Sequence, residues 1–150
     1  MAREPTVWIS CCDFTFFPPD VAAHGISLEN LPLIKVHTVK HAVRASEHLL
    51  RSGAFGLIII DLPVHIFIEQ GKLGKLARLA DLHQTAVIIS TKQEGKYSTT
   101  LGSMISLRLE IERQCLGANK FRYTIHATKD KQRAPGWKYS EVYNGPAGLR

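Results

Sequence analysis

No apolar run in this 150-residue chain approaches the length needed to cross a bilayer, which takes roughly 20 consecutive apolar residues. Met1 to Thr6 is polar and contains Pro5, so the charged start and apolar stretch of a secretion signal are missing too. Both absences predict a soluble, cytoplasmic protein with no membrane partner. Cysteine is scarce and odd in number: Cys11 and Cys12 are adjacent, Cys115 is distant, and none has zinc-site spacing. Reduced thiols fit that pattern, with Cys11 and Cys12 read as buried strand residues. The seven histidines form no ligand set: His37 is expected to end a strand, and His41 and His48 lie two helical turns apart. No serine or cysteine has a base at motif spacing. Also lacking is G-x-x-x-x-G-K-[ST], whose glycine amides wrap phosphates and whose lysine reaches the terminal ones. Gly71-Lys72-Leu73-Gly74-Lys75-Leu76 is a decoy, because its glycines are too close together and Leu76 has no hydroxyl for magnesium. ATP hydrolysis by this chain alone is not expected.

What is present is a balanced composition. With 45% hydrophobic and 21% charged residues, the chain has the content of one compact domain over residues 1–150, with 144–150 expected as a loose tail. The net charge of +6 suits an acidic partner such as nucleic acid or nucleotide phosphate.

Val7 to Cys12 reads as a strand that opens into a turn at Phe16-Phe17-Pro18-Pro19, and the prolines can start a short helix that Gly25 ends. Leu33 to His37 is a second strand. Apolar residues at Val39, Ala42, Val43, Leu49 and Leu50 predict a one-faced helix from Val39 to Ser52, stopped by Gly53. Leu57 to Asp61 is an aliphatic strand of the doubly buried kind with a carboxylate at its end. A helix over Leu73 to His83 and a strand over Thr85 to Thr91 complete an alternating α/β pattern, which predicts an open, mainly parallel sheet. Ligands of such sheets sit beyond the carboxyl ends of the strands. The pattern then changes. Ile105 to Ile111 alternates apolar and polar residues, and Phe121 to Thr128 and Trp137 to Tyr143 follow around a basic turn at Lys129 to Arg133. The sheet is expected to finish with antiparallel strands.

Leu57-Ile58-Ile59-Ile60-Asp61, preceded by Leu50-Arg51-Ser52-Gly53-Ala54, resembles the second nucleotide motif of the RecA superfamily. Asp13, Pro18, Gly25-Ile26-Ser27 and Asp61 follow the order of that family's acidic residue, proline-containing turn, helix end and acidic strand. Ser106-Leu107-Arg108-Leu109-Glu110-Ile111 is similar to its Ser-Val-Arg-Leu-Asp-Ile strand, and Lys129-Asp130-Lys131 with Ala134-Pro135 to its Lys-Asn-Lys turn. The resemblance runs from about Val7 to Gly148 and implies a RecA-like three-layer core. The strand and helix that carry the phosphate loop would lie before Met1, and the functional analogues that the resemblance implies are degenerate relatives that have lost active-site parts, such as the SOS mutagenesis accessory protein ImuA and the division inhibitor SulA.

By that resemblance Asp61 would hold a magnesium-bound water, and Asp13 stands where the family activates the attacking water. The plain alternatives are a strand-end aspartate capping a turn and a turn carboxylate. Lys92 replaces a glutamine that senses the terminal phosphate, so that coupling is expected to be lost. Lys129 and Lys131 match lysines that reach a neighbour's nucleotide in trans; the alternative is a solvated basic turn. Lys120, Arg122, Lys129, Lys131, Arg133 and Lys138, interleaved with Phe121, Tyr123, Trp137 and Tyr139, suit a single-stranded nucleic acid, and Lys120, Arg122 and Arg133 with the upstream Lys92 and Lys96 are the candidates for touching single-stranded DNA. The expectation is a non-catalytic accessory of DNA repair, recombination or the SOS response that binds RecA, a translesion polymerase or itself. The alternatives are an ATPase subunit that binds ATP and magnesium only at an interface with a partner, and a single-stranded DNA-binding protein.

Overall fold

The computed structural model describes residues 5–12, 16–63, 66–92, 101–117 and 119–145. The chain forms two compact units, Met1–Met104 and Ile105–Arg150.

The first unit carries β1 (Thr6–Ser10), α1 (Pro18–Ala23), β2 (Leu33–Lys35), α2 (Val39–Ser52), β3 (Leu57–Leu62), α3 (Gln70–Leu82) and β4 (Ala86–Thr91). Its strands pair in parallel in the order β2-β1-β3-β4. α2 spans the expected residues because its signals are local. The Thr38 hydroxyl accepts the His41 amide at 3.1 Å as N-cap, and Gly53 closes the helix in the left-handed conformation (φ 63°). Ala42, Val43 and Leu50 are buried against Val7, Ile58 and Ile60 of the sheet. Each large aliphatic side chain so buried contributes roughly 1.5–3 kcal/mol.

α3 begins three residues before the expected Leu73. Gln70, Gly71 and Lys72 fill its first turn, and the Lys72 ammonium meets the Glu69 carboxylate at 3.3 Å. The decoy glycines are thus helical residues rather than loop. Leu73, Leu76 and Leu79 join the core used by α2, so both long helices cover one face of the sheet. α1 has no buried residue and packs on the short 3-10 turn Leu28–Asn30. Three layers were expected; the described residues place α2 and α3 together in one layer. Cross-strand register sets Leu33, Trp8, Ile59 and Ile88 in a row on the opposite face, where Leu33 is 48% and Ile88 51% exposed.

The second unit is a three-stranded antiparallel sheet in the order β5-β6-β7, from β5 (Leu107–Gly117), β6 (Lys120–Asp130) and β7 (Lys138–Asn144). The antiparallel strands expected to finish the parallel sheet form a separate sheet. All three run beyond or differ at an end from their sequence limits, because antiparallel pairing continues past the alternating segment that betrays it. β7 takes in Asn144, and Asn119 and Gly145 exchange two bonds at 2.7 and 3.1 Å. Among the described residues of this unit, Ala127 alone is a buried hydrophobic.

Candidate functional site

At the carboxyl ends of the parallel strands, register aligns Lys35, Ser10, Asp61 and Ser90 across all four strands. The row lies on the pleat face away from α2 and α3, two residues beyond the row that contains Trp8. Asp61 is 5% exposed, and its carbonyl accepts the Cys11 amide at 2.8 Å. The Ser10 hydroxyl is used locally: it donates to the Cys12 carbonyl at 2.8 Å and accepts the Cys12 amide at 3.4 Å. Burial, and secondarily the Asp61 charge, push the Cys11 thiol above its ordinary value. That thiol stays protonated at neutral pH and is a weak nucleophile. The Trp8 indole N–H is buried without a partner among the described residues, while its ring meets Phe16 edge-on at 5.1 Å.

A carboxylate flanked by hydroxyls at this edge is chemically able to orient a polar ligand. Among the described residues no group of three His, Cys, Asp or Glu side chains could hold a metal ion. Lys92 follows β4 and is exposed. Asp13 and Lys96 lie outside the described residues. Ser10, Lys35 and Ser90 were missed in sequence because only strand register makes them neighbours of Asp61.

In the second unit the basic turn is built around Asp130. One carboxylate oxygen accepts the amides of Gln132 (2.8 Å) and Arg133 (3.0 Å), and the other accepts the Trp137 indole N–H (3.0 Å). These bonds, that from Trp137 foremost, hold the Asp130 carboxyl below the usual range. The Lys131 amide donates to the Ser106 carbonyl at 2.9 Å. Lys131 and Arg133 are exposed on this pinned turn, and Lys129 is half-buried opposite Arg108 in register. An aspartate just before a turn, with amides two and three residues on, is the sequence signal that could have found this anchor.

The sheet separates what alternates in sequence. Register places Phe121, Tyr123, Tyr139 and Tyr143 on one face with Ile111, Arg113 and Glu141. Lys120, Arg122 and Lys138 lie on the other, where Arg122 meets Gln114 at 3.4 Å and Thr124 meets Ser140 at 2.9 Å. The rings and cations of this stretch are therefore on opposite faces rather than on one interleaved surface. On the aromatic face Arg113 stacks over Phe121 at 5.3 Å, and Tyr123 meets Tyr143 edge-on at 5.8 Å. One Glu141 oxygen accepts the hydroxyls of Tyr139 (2.9 Å) and Tyr143 (2.7 Å). Those bonds, Tyr143 first, lower the Glu141 carboxyl, and Glu141 raises both phenols.

No protein-family model and no curated protein matches this chain. Among solved structures, SulA from Pseudomonas aeruginosa is similar over 61% of this chain and 73% of its own, at 20% identity and a TM-score of 0.48. No helix among the described residues is long and apolar enough to cross a membrane.

Proposed function

We propose that this chain is a degenerate RecA-like accessory of DNA repair, recombination or the SOS response, acting by contact with another protein rather than by nucleotide chemistry. The lineage rests on the ordered sequence motifs that end at Asp61 and at the Lys129-Asp130-Lys131 turn. The observation that carries the mode of action is an edge strand of the parallel sheet that has no further strand paired to it among the described residues. β2, at one edge, is three residues long, follows Pro32 and contains Lys35, which are devices that blunt an edge. β4, at the other, is six residues of Ala86-Val87-Ile88-Ile89-Ser90-Thr91 without charge or proline. Its outer side, unpaired with any described strand, suits an extended segment of a partner, RecA or a translesion polymerase, added as a further strand.

Two measurements test this. Magnesium-ATP titrated calorimetrically into the isolated chain is expected to give no saturable heat; tight binding overturns the reading. Hydrogen exchange of the β4 amides is expected to slow when RecA or a translesion polymerase is added. Unchanged exchange with both removes the edge as the docking element.

A second reading, single-stranded DNA binding, is favoured by where the charge lies. Nine of the 19 Lys and Arg residues but only four of the 13 Asp and Glu fall within Ile105–Arg150, so this short unit holds most of the basic excess. Exchanging Lys129 and Lys131 together for alanine should then weaken oligonucleotide binding and flatten its salt dependence by about two counterions. An unchanged slope excludes the turn from such a role. If ATP instead binds at an interface with a partner that supplies the phosphate loop, the same double variant should abolish stimulation of that partner's hydrolysis while leaving assembly intact.

A further inference from the structure

The aromatic face of the second unit has a charge pattern that is complementary to itself. A sheet with one apolar face is stable only when that face is covered, yet Ile111 is 65% and Tyr139 54% exposed. The central rung across this face is Arg113 on β5, Tyr123 on β6 and Glu141 on β7. Two strand spacings, about 10 Å, separate the cation from the anion. Neither makes an ion pair with any described residue: Arg113 lies over Phe121, and Glu141 is held by two phenols. Both charges are therefore positioned in advance and still available to an opposite charge.

We propose that this face docks onto the same face of a second copy of the chain, about a two-fold axis parallel to β6. That operation places each Arg113 over the partner's Glu141, Tyr123 over its own counterpart and Ile111 over the partner's Tyr139. Aligned sheets pack face to face about 10 Å apart, a gap that an arginine and a glutamate reaching towards each other can close. The charge pattern also selects the operator. A two-fold axis across the strands would set Arg113 on Arg113 and Glu141 on Glu141, so that like charges oppose it. Contacts of this type, with each patch meeting itself, are how symmetric dimers form, and tyrosine with arginine is the composition that concentrates binding energy in an interface. The inference concerns a different surface from the β4 edge, so the failure of one leaves the other standing.

Sedimentation equilibrium of the full chain over a concentration series tests it. A reversible dimer is expected. Arg113→Glu and Glu141→Arg should each raise its dissociation constant at least tenfold, and the double variant, with both charges exchanged, should return it to near the original. Both side chains are exposed, so far-UV circular dichroism is expected to stay unchanged. Should a charge reversal disturb the fold, Arg113→Gln and Glu141→Gln give the same loss without recovery in the pair. A chain that stays monomeric to about millimolar concentration, or a dimer indifferent to both reversals, overturns the proposal. So does an oligonucleotide that occupies this face, revealed by binding that weakens with Arg113→Glu and tightens with Glu141→Arg.

Discussion

Removing the Leu50 side chain tests whether the first unit has the sealed core on which its strand-end site depends. Leu50 is fully buried in α2 and belongs to the cluster formed with Val7, Ile58, Ile60 and Leu76. Leu50→Ala deletes three carbons, worth about 0.8 kcal/mol each in transfer free energy. The cavity left in a close-packed interior adds to this, for a total of about 3–5 kcal/mol. Domains of this size hold only about 5–15 kcal/mol in all, so the midpoint temperature should fall by more than about 10 °C. Urea unfolding followed by Trp8 emission in a Trp137→Phe background reads this unit, because the two tryptophans lie one in each unit. The control is Ser46→Ala, one turn away and equally buried. The Ser46 hydroxyl donates to the Ala42 carbonyl at 2.8 Å, but that carbonyl keeps its helical amide, and alanine has the better helix propensity. The control should change stability by less than about 1 kcal/mol. A Leu50→Ala loss below about 1 kcal/mol, or equal effects from both variants, would refute the packing described for α2.

Thr38→Ala should cost about 1 kcal/mol by urea titration, because the His41 amide loses its cap, whereas Thr38→Ser should cost little. Gly53→Ala should cost roughly 1–2 kcal/mol, since φ is 63° and the added methyl group would stand 3.0 Å from His83 Nδ1. For Asp130 the folded-state pKa lies below the unfolded value of about 3.9, so its contribution is complete above that pH and disappears as pH falls through the lower, folded value. Trp137 emission should therefore report an acid transition of the turn below about pH 4, and Asp130→Asn should remove it. An identical transition in Asp130→Asn would show that another group governs the turn.

Features written in a few neighbouring residues were legible without the structure. Thr38, the apolar positions of α2 and Gly53 determine a helix by themselves, and the aliphatic run Leu57–Ile60 determines a buried strand. The start of α3 was not, because Gly71 weakens the helical signal of its first turn and the apolar periodicity begins only at Leu73. The site divides in the same way. Asp61 at a strand end and the basic turn at Lys129–Arg133 could be named from sequence order, and the Asp130 anchor was within reach of turn chemistry.

By itself, then, the sequence determined element type, the parallel-to-antiparallel change after Thr91 and the absence of a phosphate-binding loop in these 150 residues, because each depends on local periodicity or a contiguous pattern. Only tertiary structure decided that Lys35, Ser10, Asp61 and Ser90 share a row, that the antiparallel strands form their own sheet, and that rings and cations alternating along Lys120–Tyr139 part to opposite faces. Each of those depends on strand register. Register is set by pairing between segments far apart in the chain, and a slip of one residue would reverse every side chain.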